Sequence, residues 1–389
     1  MPNPNAIVAT TIRFDPPLEG RKPEEVVAAD GQVVDLGEGR RIRLDPDDRR
    51  SAGFVQVLDG LATLGRPAYV EIDPATESID RLLIPTIGHV ISVQAVPEDG
   101  QIEVQLDLSH ARHRLPMAGD DATELEATLR AALESRRPVL LVEDFEGAVI
   151  DVREFTPDPG GPLPPLPDPG DPDFPPVPPG LPPLRPRRPW WEWLLWPFRK
   201  LWWWLCYPWW WFHCASKTQA QAIFDDMAAT TCNPLTVPVP CIPFLYPDNG
   251  CWARASEMCR LMIAMGRSPG KVWIDGSLRV TSANKPGCLV QWGWHVAPTL
   301  CRRGGRWPFG TERVVIDPSL FTMPVTEADW KAKQGDPNAT LTNTDHTVYW
   351  RYVHPTDPTY YWTNIDLATY RLELLNRSNQ FGPPPYVCP

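Results

Sequence analysis

The sequence predicts an α+β protein in two parts, a mixed α/β, strand-rich N-terminal domain and a separate C-terminal α+β domain. Three observations lead there. Residues 157–189 contain 16 prolines in 33 positions, a composition that excludes helix and sheet ladders and makes an extended spacer. All nine cysteines lie at or after Cys206, so the halves differ in thiol chemistry. Residues 1–155 carry 29 Asp/Glu against 16 Lys/Arg, whereas the remainder carries 19 against 21. An acidic half of this kind argues against nucleic acid, whose phosphates need a basic surface. With 389 residues, 43% hydrophobic and 22% charged, the chain has core material for more than one ordinary globular domain.

In residues 1–155 the runs Ala68–Ile72, His89–Val96 and Ile102–Leu108 are β-branched and alternating, and Glu98-Asp99-Gly100 supplies a hairpin turn between the last two. Asp121–Glu134 places Leu125, Leu129 and Leu133 at helical spacing behind Asp120 or Asp121 as N-cap. Val139–Val142 and Ala148–Val152 form a second hairpin around Glu146-Gly147. His89, His110 and His113 are isolated from any nucleophile and read as structural.

Residues 156–189 are the proline-rich linker. Residues 190–214 follow as a hydrophobic arm with ten tryptophans between Trp190 and Trp211. Glu192, Arg199, Lys200, Pro197 and Pro208 interrupt it, which disfavours a transmembrane helix. Tryptophan prefers the membrane–water interface, so Trp190–Trp211 is expected to meet a membrane surface or a hydrophobic partner, with packing on its own chain as the alternative.

From residue 215 the chain reads as one α+β domain. Gln219–Ala229 is a short helix. Cys251–Met265 is a second, N-capped by Asp248 or Asn249 and stopped by Gly266. Cys251 therefore falls in a first helical turn, where unpaired N–H groups and the dipole favour a thiolate and can hold an oxyanion. Cys288–Ala297 reads as a strand ending at Pro298, with Gln291, Gly293 and His295 on one face and Trp292, Trp294 and Val296 on the other. Arg313–Asp317 reads as a strand stopped by Pro318. Two strand ends thus offer an imidazole and a carboxylate. Nucleophile, base and orienting acid are what nucleophilic amide chemistry requires. His346 and His354 lack matching partners and read as structural, and Cys259, two turns along the helix, is not expected in the site. The eight remaining cysteines could form up to four disulfides or stay reduced.

The blocks Gly250-Cys251-Trp252-Ala253-Arg254-Ala255, Trp294-His295-Val296-Ala297-Pro298 and Val315-Ile316-Asp317-Pro318-Ser319-Leu320-Phe321, followed by Pro324-Val325-Thr326 and Trp330, resemble the bacterial protein-glutaminase (protein glutamine deamidase) family. A weaker echo lies at Tyr361–Arg371. The resemblance implies a papain- or transglutaminase-like catalytic core, a Cys251–His295–Asp317 triad and no cofactor or metal. It also implies hydrolysis of protein- or peptide-bound glutamine to glutamate through a thioester, with release of ammonia. Trp252 and Trp294 stand where the family usually has Tyr, and Ser256 where it has His; the two tryptophans are expected to flank the substrate groove. Family members are typically exported and held inactive by an N-terminal pro-segment. The N-terminus here has no secretory signal pattern, so an extracytoplasmic location is expected by a non-classical route. A transglutaminase or cysteine peptidase on the same triad is the alternative, and an inactive membrane- or partner-docking protein is a third reading.

Overall fold

The computed structural model describes residues 5–156 and 214–386, except 16, 19, 22–24, 27–32, 38, 120, 235–239, 283–284, 305–309 and 352–355. The expected linker and nearly all of the tryptophan-rich arm therefore lie outside the described residues, as does His354.

The N-terminal half opens with β1 (Ala6–Ala9), β2 (Arg13–Asp15), β3 (Val33–Asp35) and β4 (Arg41–Arg43), then helix α1 (Ser51–Leu64). Phe54, Val57, Leu58 and Leu61 make one buried stripe of α1, each worth roughly 1.5–3 kcal/mol in apolar transfer. After β5 (Ala68–Ile72) and β6 (Ile79–Leu83) come β7 (Thr86–Val96), β8 (Gln101–Leu106), β9 (His113–Pro116), helix α2 (Ala122–Ser135), β10 (Pro138–Glu143) and β11 (Val149–Glu154). Strands β1-β5-β6 and β2-β3-β4 form two small sheets, and β11-β10-β7-β8-β9 a larger one, antiparallel throughout. The alternation in β8 is regular, with Ile102, Val104 and Leu106 buried. Leu125, Leu129 and Ala132 of α2 share a core with them. Both expected hairpins and the α2 helix are found within one to three residues of their expected ends.

In the C-terminal half, helix α3 (Lys217–Ala229) starts at a capping box in which Ser216 accepts from the Gln219 backbone and the Gln219 side chain accepts from Ser216 N–H. Helix α4 (Cys251–Ala264) is followed by two long strands, β12 (Gly270–Ser282) and β13 (Lys285–Arg303), then β14 (Thr311–Val315), β15 (Val325–Thr326), helix α5 (Glu327–Lys333), β16 (Thr340–Asp345) and helix α6 (Tyr361–Phe381). The antiparallel sheet order is β15-β14-β13-β12-β16. Helices α3 and α4 cover one part of it through Phe224, Met227, Met258 and Met262 against Leu300 and Val314. Trp330 of α5 packs with Val272, Ile274, Val315 and Trp292.

Two expectations about β13 are corrected. The strand does not end at Pro298 but continues to Arg303. Pro298 accepts from the Ile316 N–H through its carbonyl, so the side of the backbone that lacks a donor faces the place where β14 has already ended, and no ladder bond is lost. Trp292 does not share a face with Trp294. It packs with Ala297 and Trp330, whereas Trp294 and Val296 lie with Cys251. Opposite this point the register between β12 and β13 shifts, with Gly276 and Ser277 of β12 facing the single residue Gly293 of β13.

The two halves, read from the sequence as separate, are packed together through α6. Leu374 and Leu375 enter the core of α1, β1 and β5, and so do Cys232, Cys241 and Tyr246. Asn376 and Gln380 donate to the Leu82 carbonyl, and Asn379 donates to that of Arg50. A proline-rich linker reports the path between two units and carries no information about the faces they present to each other. Among the described residues two disulfides form, Cys214–Cys301 and Cys232–Cys241, while Cys251 and Cys259 are free thiols.

Candidate active site

Cys251 is the first residue of α4, as the helical pattern predicts, but the N-cap is Gly250 instead of Asp248 or Asn249. Gly250 has φ +80°, and a Cβ there would sit 2.3 Å from the Tyr370 ring. Both the left-handed backbone and the close approach require glycine. Asp248 is used elsewhere: its carboxylate takes Lys285 at 2.7 Å and Arg377 at 2.6 Å. Although burial alone would raise its pKa, those two cations hold it well below the usual carboxylate range. Cys251 is buried, and burial pushes its thiol up despite the opposing influence of Arg254 and of backbone N–H groups of Val296 and Trp252. The helix start alone therefore does not yield a resting thiolate in this closed arrangement.

The other two expected residues meet as predicted. His295, on β13 opposite Ile274, uses Nε2 against Asp317 Oδ2 at 3.0 Å. Asp317 follows the end of β14. Its Oδ2 also accepts from the Trp330 indole N–H at 2.9 Å, and its Oδ1 from the Ser319 N–H at 3.2 Å. Burial raises the Asp317 pKa, but the bonds to His295 and Trp330 outweigh it and the net shift is downward. An ionised Asp317 fixes the proton of His295 on Nε2. That leaves Nδ1 as the lone pair, and this atom is buried with no hydrogen-bond partner among the described residues. Trp292 stacks on the His295 ring at 4.5 Å and Trp330 lies at 5.5 Å, so the ring is clamped. Ligand atoms of Cys251, His295 and His110 lie within 4.8 Å of one another.

His110 is the correction. Read from the sequence as an isolated structural residue, it places Nδ1 2.7 Å from Cys251 Sγ. Its Nε2 donates to the Asp248 carbonyl at 3.0 Å, and its ring stacks on Trp292 at 5.0 Å. Burial, then His295 and Arg254, hold His110 well below the ordinary imidazole range, so it is neutral. It arrives on a segment between β8 and β9 that docks along β13. Arg112 N–H donates to Gln291, Gly293 N–H donates to the His110 carbonyl, and Ala111 bridges antiparallel to Trp292. Ser109 accepts from Asn249 Nδ2 at 3.1 Å and stands 3.1 Å from His113 Nε2. The stretch Ser109–His113 has no hydrophobic period and no motif, so nothing in the sequence pointed at Cys251.

Trp252 and Trp294, expected to flank an open groove, are 2% and 1% exposed. Trp252 donates to Asp366 at 2.8 Å, its ring lies 5.6 Å from that of Trp294, and the ring of His110 lies within 6 Å of both. Ser256 accepts from Lys271, a buried lysine whose pKa burial pushes down to about 8. His346 pairs with Asp345 beside it and stays apart from this cluster.

Residues 220–334 match the family described as glutaminase, a stretch that contains Cys251, His295, Asp317 and Trp330. The match lies wholly in the C-terminal part and covers less than a third of the chain. Among solved structures, a pro-protein-glutaminase crystal structure is similar at 19% identity and a TM-score of 0.47, covering 77% of this chain and 94% of that one. A protein-glutaminase crystal structure is 29% identical over 38% of this chain and 82% of its own, with a TM-score of 0.33. The NMR structure of protein-glutaminase from Chryseobacterium proteolyticum is 28% identical over 37% and 81%, also with a TM-score of 0.33. No curated protein matches the chain. The glutaminase stretch begins within α3 and ends just after α5, so it takes in the sheet strands β12–β15 but not α6.

Proposed function

We propose that this chain hydrolyses the side-chain amide of protein- or peptide-bound glutamine, with Cys251 as nucleophile, His295 as general base and acid, and Asp317 as the orienting carboxylate. The observation that carries the reading is the state of His295 inside a glutaminase-family segment. One nitrogen is tied to an ionised carboxylate and the other is a lone pair with no partner among the described residues, in a pocket shared with a free thiol.

The chemistry follows from those roles. His295 takes the thiol proton, and the Cys251 sulfur attacks the amide carbon. The tetrahedral oxyanion lies at the N-terminal end of α4, where helical N–H groups lack intrahelical partners. The proton passes from His295 to the leaving nitrogen, the C–N bond breaks, and ammonia departs from a thioester. Water, deprotonated by His295, then breaks the C–S bond to give glutamate and return the thiol. Asp317 stays ionised and stabilises the imidazolium between steps.

The docked segment supports a mode of peptide binding. Where β14 has not yet joined β13, residues 109–112 supply an extended neighbour to Gln291–Gly293, and a substrate backbone would use the same edge once that segment leaves. Trp252 and Trp294 would then wall the slot that His110 fills. On this reading the described arrangement is a closed form, and the N-terminal half regulates the site. The two disulfides fit an oxidising, extracytoplasmic compartment. The tryptophan-rich arm would add a membrane-surface contact, which vesicle binding by the full chain would test.

The test is ammonia release from a glutamine-rich protein after cleavage between residues 157 and 213, with parallel gels with and without a primary amine. Ammonia with glutamate at the modified positions is expected. Dominant amine incorporation or covalent oligomers would replace the reading with transglutaminase, and backbone cleavage would replace it with peptidase.

A further inference from the structure

We infer that Cys251, His295 and His110 form a zinc(II) site in the closed chain, a metal lock that holds the nucleophile and the N-terminal segment together. This rests on the deamidase reading only for its consequence, which is inhibition; the site itself follows from geometry.

Four observations build it. The three donor atoms lie within 4.8 Å of one another, and all three residues are buried. Both imidazoles have Nε2 committed, His295 to the Asp317 carboxylate and His110 to the Asp248 carbonyl. Each therefore directs an Nδ1 lone pair inward. This is how zinc-binding histidines are held, the distal nitrogen donating to a carboxylate or carbonyl while the other binds metal. His295 Nδ1 is buried and has no hydrogen-bond partner among the described residues, a condition that costs free energy unless an electrophile or donor fills it. Finally, a thiol and two imidazoles are the borderline-soft set that zinc selects over calcium or magnesium.

The dimensions accommodate the ion. Zinc–sulfur and zinc–nitrogen bonds of roughly 2.3 and 2.0–2.1 Å imply ligand separations of about 3.5 Å around a tetrahedron. The Sγ–Nδ1 contact to His110, 2.7 Å, must open, and wider separations within the 4.8 Å limit must close. Both changes are about 1 Å. Three protein ligands leave one tetrahedral position for water. On binding, zinc replaces the thiol proton, which leaves to solvent; no electron moves. A cleft of about 340 Å³ is lined by residues of both halves, among them Ala111, next to His110, and Asn249, two residues before Cys251.

Two consequences distinguish this from a plain steric plug. The lock needs a ligand from each half of the chain, so metal strengthens the docking of 109–112 and docking completes the metal site, with reciprocal coupling. It also consumes both the nucleophile and the lone pair of the base, so a single ion silences catalysis.

The experiment uses the full chain with its disulfides intact. Cobalt(II) is added as a spectroscopic substitute, followed by competition with zinc(II) and measurement of the melting temperature. The expected result is one equivalent of cobalt with tetrahedral ligand-field bands and a thiolate-to-cobalt charge-transfer band, displaced by zinc, together with a zinc-dependent rise in melting temperature. Cys251→Ser should lose the charge-transfer band. His110→Ala and His110→Gln should each weaken zinc at least ~100-fold. Near-ultraviolet circular dichroism of the metal-free variants shows whether they fold, and the glutamine variant retains bulk at that position. No site-bound cobalt in the wild type, a band that survives in Cys251→Ser, or unchanged zinc affinity in both folded His110 variants would overturn the inference. Because metal binding is read without turnover, the outcomes separate. A metal-binding chain that releases no ammonia after cleavage and chelation would sink the deamidase reading and leave the site standing; deamidation without metal binding would do the reverse.

Discussion

Two regions bring an imidazole to Cys251, and they anchor it differently. His295, on the central strand β13, leans on Asp317, an ionised and fully buried carboxylate. His110, on a docked segment from the other half of the chain, leans on the neutral backbone carbonyl of Asp248. Both anchors fix a tautomer with Nδ1 toward the thiol. Only the carboxylate can also stabilise the positive ring that forms when the base takes a proton. On the proposed reading this difference makes His295 the base, whereas His110, kept neutral among Trp252, Trp292 and Trp294, fills the space a substrate needs. Proximity to the nucleophile is thus no guide to catalysis without the second partner of each ring.

The sharpest way to break this comparison is to remove the members of the unit one at a time. Cys251→Ser and His295→Ala should each lower ammonia release from the cleaved chain by about 10⁶-fold, because nucleophile and base act as one unit. Their melting temperatures should remain near that of the wild type. Asp317→Asn keeps the hydrogen-bonding geometry but loses the charge, and should cost roughly 10⁴-fold, leaving measurable activity. Equal loss in all three would mean that Asp317 holds up the fold rather than the base.

Opening the closed form comes next in size. Cleavage within 157–213, followed by digestion of the N-terminal half, should raise activity by about 100-fold if the docked state is favoured 99 to 1. It should also raise the rate of Cys251 alkylation. Unchanged alkylation would contradict the role given to residues 109–112.

The three candidate residues could be singled out in the sequence because each sits in an element with its own local signature. Gly250-Cys251 opens a run of helix formers, His295 falls in an alternating strand, and Asp317-Pro318 ends another. The N-cap was misread because Asp248 and Asn249 are good capping residues, yet tertiary demand claims both: Asp248 for Lys285 and Arg377, and Asn249 for Ser109. The role of His110 was invisible for a different reason. Its partners lie some 140 residues away, and nothing local in Ser109–His113 records them. The contact between the halves was hidden likewise in α6, where the polar residues Asn376, Asn379 and Gln380 donate to backbone carbonyls of Leu82 and Arg50 across the boundary.

Smaller effects sharpen how that boundary is held. Gly250→Ala forces a side chain into left-handed backbone and against Tyr370, and should destabilise the chain by roughly 2–5 kcal/mol in denaturant melts. Glu373 of α6, half-buried, has its pKa raised to about 8 by burial first and by Glu143 and Asp248, against the opposing influence of Arg377. Its folded pKa lies above the unfolded value of 4.5. The folded state therefore binds more protons between the two, and stability from this group is complete below pH ~4.5 and lost as pH rises through ~8. The stability–pH profile should fall across that window in the wild type and fall less in Glu373→Gln. Identical slopes would show that Glu373 does not titrate there.

The most direct test of the account is to catch the acyl group on Cys251. The cleaved chain, turning over a glutamine-containing peptide, is quenched in acid and digested, and the peptide carrying Cys251 is weighed. The predicted result is an adduct of the substrate peptide less one ammonia on Cys251 in the wild type, at higher occupancy when water attack is slowed, and no such adduct in Cys251→Ser. Ammonia release with no adduct on Cys251 under any quench, or an adduct on Cys259 instead, would contradict the assignment of nucleophile and base.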